Sequence, residues 1–191
     1  MVTHRKRDAV GMHFYSILLA VAVAYADSRS EDAQRSRPYA VVVYGGTPAG
    51  ISAAVAAARE LRGDATSRVL LVEPSPWIGG MASGGLGCTD KVGDRSYGGL
   101  AREFVNRTNA KYGEHRRQLP HCTTSTAFEP HVATEVFHEM LAEASVELLV
   151  GATLVRVART GRTLSSIELD LHGETGGRDD LTVQGSIYID R

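Results

Sequence analysis

Apolar positions along the chain change period several times, and each change marks an element. Residues 39–44, YAVVVY, form an unbroken β-branched and aromatic run, short enough for a strand buried on both faces. Past a glycine cluster, Ile51, Ala54, Val55, Ala58 and Leu61 recur at helical spacing. RVLLVE, residues 68–73, is a second buried run, so 39–73 is predicted to be a βαβ unit with a right-handed crossover. Leu100, Phe104, Val105, Thr108 and Tyr112 share one face of a later helix, which turns Asn106 outward. Pro130 suits a first helical turn, and Val132, Val136, Phe137, Met140, Leu141 and Ala144 line the buried face of the helix it opens. VELLVG, 146–151, reads as a strand. From Ala152 the period falls to two: TLVRVA, a turn at Thr160 and Gly161, then Ile167, Leu169 and Leu171 alternating with Glu168 and Asp170 predict an antiparallel hairpin. After a turn in HGETGGRDD, LTVQGSIYID closes the sequence as an apolar strand whose covering neighbours are expected to be missing.

The stretches between these elements have their own character. Residues 74–99 are rich in Gly, Ser and Pro, and an irregular segment of that length inside a domain usually carries function or is disordered. Residues 27–37, DSRSEDAQRSR, are polar and unpatterned and read as a linker, so the domain is placed at 38–191. In the first 26 residues, Arg5, Lys6 and Arg7 precede an apolar run from Phe14 to Ala26. That run is shorter than the roughly 20 residues needed to span a bilayer. With the small residues Ala24 and Ala26 at its end, 1–26 reads as a signal peptide cleaved after Ala26, and the expected location is the secretory pathway or the exterior. No stable membrane span is expected in the mature chain.

At 191 residues the chain is long enough for one domain and short for two. A composition 43% hydrophobic and 23% charged is that of a soluble globular protein, and a net charge of −1 leaves no basic footprint for nucleic acid. The two cysteines, Cys88 and Cys122, are too few for a disulfide framework or a Cys-rich metal site. They are either one disulfide in an oxidising compartment or two unrelated buried thiols. The triplet Asn106, Arg107, Thr108 is a glycosylation sequon, which fits secretion.

The chemistry gathers at the first glycine cluster. Gly45, Thr47 and Gly50 occupy the three glycine positions of a GxGxxG fingerprint, with the middle one violated. The context is nonetheless right: the motif follows a predicted strand, opens a predicted helix, and precedes an acidic residue, Glu73, at the end of the second strand. Gly45 permits a tight turn and Gly50 a close approach of helix to strand. The helix end near Pro48 offers unpaired amides and a positive dipole end to a pyrophosphate. Glu73 is placed to accept hydrogen bonds from ribose hydroxyls, and its charge disfavours a 2′-phosphate.

The blocks VVVYGGTPAGISAAVAAARE, LLVEPSPWIGGMASGGLGCTD, GGLAREF and FEPHVATEVFHEMLAEASVELL together resemble the FAD-dependent oxidoreductase family that includes the xanthan-lyase-like FAD-dependent proteins. Thr after paired glycines is common in that family. The resemblance covers nearly all of 39–190 and implies an α/β fold: a Rossmann-like FAD-binding βαβ core of glutathione-reductase type, with a small antiparallel hairpin insertion. It also implies that this is the N-terminal part of such a domain, incomplete because the family continues past the last strand into an Asp-Ala-Thr type segment. By the same resemblance, Gly45, Gly46, Thr47, Pro48, Ala49 and Gly50 wrap the FAD pyrophosphate and Glu73 holds the adenosine ribose. Gly79, Gly80 and Met81 match a second flavin-contacting loop. The activity implied is hydride transfer from a small organic substrate to the flavin. The xanthan-lyase name implies cleavage of a polyanionic sugar, for which the sequence offers no acid and base pair.

No catalytic base stands out. Histidine is the side chain best suited to act as acid or base near neutral pH, but His121 and His131 read more simply as packing or capping residues, and Cys88 as an inert small residue. Two other readings stay open on the residues alone. One is an NAD-binding dehydrogenase domain, against which the glycine-rich 74–99 and the hairpin argue, and the other is a non-catalytic remnant of a dinucleotide fold.

Overall fold

The computed structural model describes residues 37–64, 66–86, 97–113, 127–172 and 178–191. The expected signal peptide, most of the expected linker, Cys88, Cys122 and His121 lie outside the described residues. β1 (Tyr39–Tyr44), β2 (Val69–Glu73) and β3 (Glu147–Val150) run parallel, and the sheet continues through β6 (Arg178–Asp190), β5 (Thr163–His172) and β4 (Ala152–Thr160) in the order β3-β2-β1-β6-β5-β4. The helices are α1 (Pro48–Glu60), a single turn α2 (Gly80–Ser83), α3 (Gly99–Tyr112) and α4 (Pro130–Glu143). The segment 74–99 is thus not wholly irregular, since α2 interrupts it.

β1 is central because its run of apolar side chains serves two cores at once. Val41 and Val43 face α1 and α4, packing with Ile51, Val55, Val136, Phe137 and Met140. Val42 joins Leu70 and Val72 on the opposite face, against Ala152, Ile167, Leu169 and Val183 of the antiparallel strands. Burial on both faces is what a continuous apolar strand demands, and burying each such side chain stabilises the fold by about 1.5–3 kcal/mol.

β6 joins the two halves of the sheet. Its first part pairs antiparallel with β5, with Leu169 opposite Leu181 and Ile167 opposite Val183. From Gly185 onward it pairs parallel with β1, setting Ile187 beside Val41 and Ile189 beside Val43. A Cβ at Gly185 would lie 2.8 Å from Val42 Cγ2 and 3.2 Å from the Tyr188 ring, so glycine lets the strand pass between them. The Gly185 amide donates to Tyr188 Oη (2.7 Å), which donates in turn to the Ser165 carbonyl (3.2 Å), and this fixes the changeover. The closing strand therefore pairs with β5 along its first part and with β1 along its second. What it lacks is cover over Ile187, which is 56% exposed.

The expected helices form for the expected reasons. Pro48 and Pro130 sit in the first turns of α1 and α4, where an amide would be unpaired. α4 ends with the Val146 amide on the Leu141 carbonyl and the Ser145 amide on that of Ala142, a left-handed C-terminal cap with serine at φ 59° where glycine is usual. α3 has little buried surface, and Thr108 alone in it is fully buried. Phe104 stacks on Phe137 at 4.4 Å and meets Phe128 edge-on at 5.3 Å. An ion network ties α3 to its neighbours: Glu103 accepts two bonds from Arg59 of α1 (2.6 and 2.7 Å), and Arg107 bridges Glu103 and Glu143 of α4. Arg59, and after it Arg107, holds the Glu103 carboxyl down at about 2. Asn106 is exposed, as its helical position predicts.

At the opposite end of the strands from the glycine turn, Arg68 lies over the Tyr39 ring and clasps Glu147 with two 2.7 Å bonds. Burial pushes the Glu147 carboxyl up, but the bonds from Arg68 and the Tyr39 hydroxyl outweigh it and leave it below the usual carboxylate range. A cleft at that same end, lined by Leu61, Arg62, Asp64, Glu143 and Ser145, sits at the C-terminal ends of α1 and α4. It faces away from the carboxyl ends of the parallel strands, where ligands of open α/β sheets bind.

Candidate dinucleotide-binding site

The site is built where β1 ends and α1 begins. Gly45 continues the sheet by donating from its amide to the Val72 carbonyl (2.8 Å), then turns the chain at φ 107°. A Cβ on Gly45 would come within 1.8 Å of the Arg191 carbonyl oxygen, which passes over the turn after β6. A Cβ on Gly50 would come within 1.9 Å of the Gly45 carbonyl oxygen. Both glycines are therefore required by close backbone approach, and the second holds the helix start hard against the strand end.

Thr47 is the N-cap of α1. Its backbone is extended and its Oγ1 accepts from the Gly50 amide at 3.2 Å. The side chain that replaces the middle glycine thus folds back onto the helix instead of standing across the turn. Helix geometry leaves first-turn amides without intrahelical partners. Gly50 gives its amide to Thr47 and Pro48 has none, while the amides of Thr47 and Ala49 have no hydrogen-bond partner among the described residues. Pro48 and Ala49 are exposed, so this helix end is open to a ligand. No acidic residue stands in the first turn to oppose an anion.

Glu73, at the end of β2, is brought to the same place. Its Oε2 accepts from the Gly46 amide at 2.6 Å and its Oε1 from the Ser75 amide at 2.9 Å. The Gly46 amide is consequently directed at Glu73, so Gly46, expected to wrap the pyrophosphate, also anchors the carboxylate. Each carboxylate oxygen has a second lone pair, so Glu73 retains capacity to accept two hydroxyl groups.

The second glycine loop docks on the first. The Gly79 amide donates to the Gly46 carbonyl at 2.6 Å, and a Cβ on Gly80 would lie 3.6 Å from Pro48 Cδ and 3.8 Å from Thr47 Cα. Ile78, 1% exposed, anchors this loop in the core beside Gly46. Met81 is 76% exposed on α2. All ten residues expected at the site therefore lie on three adjoining segments at the carboxyl ends of β1 and β2. Sequence reasoning missed Ser75, which bonds Glu73 through its amide, accepts from the Gly151 amide (3.0 Å) and donates through its hydroxyl to the Trp77 carbonyl (2.8 Å). Its place two residues past the acidic strand end was the available signal. His131 is exposed in the first turn of α4. Among the described residues no group of three or more His, Cys, Asp or Glu side chains could hold a metal, and no helix is long and apolar enough to cross a membrane.

A parallel βαβ unit whose glycine turn opens a helix beside an acidic strand end defines a Rossmann-like dinucleotide-binding domain. Residues 40–190 match the FAD dependent oxidoreductase family, and the chain belongs to that family, whose cofactor is FAD. No curated protein matches the chain. Among solved structures, the THI4 protein of Thermovibrio ammonificans is similar with a TM-score of 0.56 at 16% identity, over 90% of this chain and 64% of that one. The polycyclic ketone monooxygenase of the fungus Thermothelomyces thermophila gives 0.54 at 15% identity, over 80% of this chain and 23% of its own. The glycerol-3-phosphate dehydrogenase of Bacillus halodurans, solved with FAD, gives 0.50 at 14%, over 82% and 34%. The chain thus spans less than two thirds of the length of each of these proteins, and at such identities the likeness is one of fold.

Proposed function

We propose that this chain binds FAD across the Gly45–Gly50 turn and Glu73, and that the protein it belongs to oxidises a small organic substrate. The observation that carries the reading is the open start of α1, where the Thr47 and Ala49 amides have no partner among the described residues, beside a carboxylate at the end of β2. The residues fit the group: a pyrophosphate takes the amides and the dipole of a 13-residue helix, and ribose hydroxyls take the remaining lone pairs of Glu73. Bound FAD supplies the two-electron acceptor, taking a hydride at the flavin. The chain's own residues bind and orient. Gly45 and Gly50 keep the backbone low enough for the phosphates to approach, Gly79 and Gly80 hold the second loop over the first, and Met81 stands exposed on the flavin-facing side by resemblance to the family.

NAD is the weaker reading, because the family matched over residues 40–190 is FAD-dependent. Titration calorimetry separates the cofactors: FAD is expected to bind tightly, NAD far more weakly, and NADP not at all because Glu73 repels a 2′-phosphate, whereas tight NAD binding would restore the NAD reading. Equal binding of NADP would sink the assignment of Glu73. A secretory location is supported by the layout of residues 1–26 and by the exposed Asn106. Expression with the leader in secretory eukaryotic cells should give a product starting after Ala26, and retention of Met1 in a cytosolic product would refute it.

A further inference from the structure

Trp77 is the single tryptophan of the chain and is 72% exposed, yet the backbone that carries it is firmly held. On one side Ser75 ties it down, bonded to Glu73, to Gly151 and through its hydroxyl to the Trp77 carbonyl. On the other side Ile78 is buried and Gly79 is bonded to Gly46. A large aromatic ring presented to water by a segment pinned at both ends forgoes apolar burial unless a ligand covers it. Its position identifies the ligand, on the reading that Glu73 takes the adenosine ribose. The adenine is bonded to the ribose carbon next to the one bearing the 2′-hydroxyl, so a ribose on Glu73 puts the base beside the segment that follows Glu73. We propose that Trp77 is a positioning residue for the cofactor, its indole forming the wall on which the FAD adenine stacks. Of the other exposed apolar side chains, Val155, Val157 and Leu164 lie on the antiparallel strands, while Val150, an aliphatic residue and not a flat ring, pairs with Glu73 at the end of β3.

Base-on-aromatic stacking is worth about 1–3 kcal/mol by alanine substitution, so Trp77→Ala is expected to weaken FAD binding about tenfold and Trp77→Phe much less. Because no second tryptophan contributes, emission excited at the red edge, beyond the absorption of the seven tyrosines, reports on this ring alone. A flavin quenches tryptophan emission at a distance by energy transfer, so the discriminating probe is ADP, which carries adenine and no flavin. ADP should quench Trp77 saturably, and Trp77→Ala should weaken ADP and FAD by the same factor while leaving riboflavin binding and the thermal unfolding midpoint unchanged. If the wild-type chain binds FAD but Trp77→Ala binds FAD and ADP equally well, with no ADP quenching, the indole serves some other contact and the proposal is wrong. If the wild-type chain binds neither FAD nor ADP, the reading of the site itself falls and takes this inference with it.

Discussion

Gly50→Ala is expected to abolish measurable FAD binding and to destabilise the fold by about 2–3 kcal/mol. The added Cβ would stand 1.9 Å from the Gly45 carbonyl oxygen, a backbone atom that cannot rotate away. Either α1 moves off the end of β1 or the Gly45 peptide turns, and both displace the amides offered to the pyrophosphate. Chemical denaturation measures the first effect and FAD titration the second. Ala56→Gly, at an exposed position in the middle of α1, tests helix propensity alone and should cost only about 1 kcal/mol with binding retained. A Gly50→Ala protein that binds FAD normally would mean that the helix start is not the phosphate site.

Glu73→Gln should lower FAD affinity by about ten- to a hundredfold and stability by about 1–3 kcal/mol. The carboxylate accepts from two backbone amides at once, Gly46 at 2.6 Å and Ser75 at 2.9 Å. In the amide, one of these oxygens becomes an NH2 group facing an N–H, whichever way it flips. The turn and the loop after β2 would then lose their common anchor, and the ribose would lose an acceptor. Binding and unfolding should change together. A loss of affinity with stability intact would confine Glu73 to ligand contact, and a loss of stability with affinity intact would confine it to bracing the turn.

Much of this architecture was legible in the residues. β1, α1 and β2 were readable because the apolar run, the change of period and the Thr47-Pro48 start each act locally, and α4 because its buried stripe is strong. β6 was harder. LTVQGSIYID reads as one strand, but its division at Gly185 between an antiparallel and a parallel partner depends on Val42 and Tyr188, which only the folded chain brings to it. The candidate site was legible as a set of residues and less so as a set of bonds. Thr47 broke the glycine fingerprint and is a helix cap, while Gly46, expected to wrap the pyrophosphate, gives its amide to Glu73. Neither exchange leaves a mark on spacing, because each depends on where a short side chain turns after the backbone is set. Trp77, with no periodicity around it, carried no signal until the bonds of Ser75 and Gly79 on either side of it were visible.

The claim that Gly45–Gly50 and Glu73 form an FAD site is tested most directly by the visible absorbance of the purified chain after incubation with FAD and gel filtration. Flavin bands eluting with the protein at about one cofactor per chain, and absent from Gly50→Ala, are the predicted result. A folded, colourless wild-type protein would contradict it.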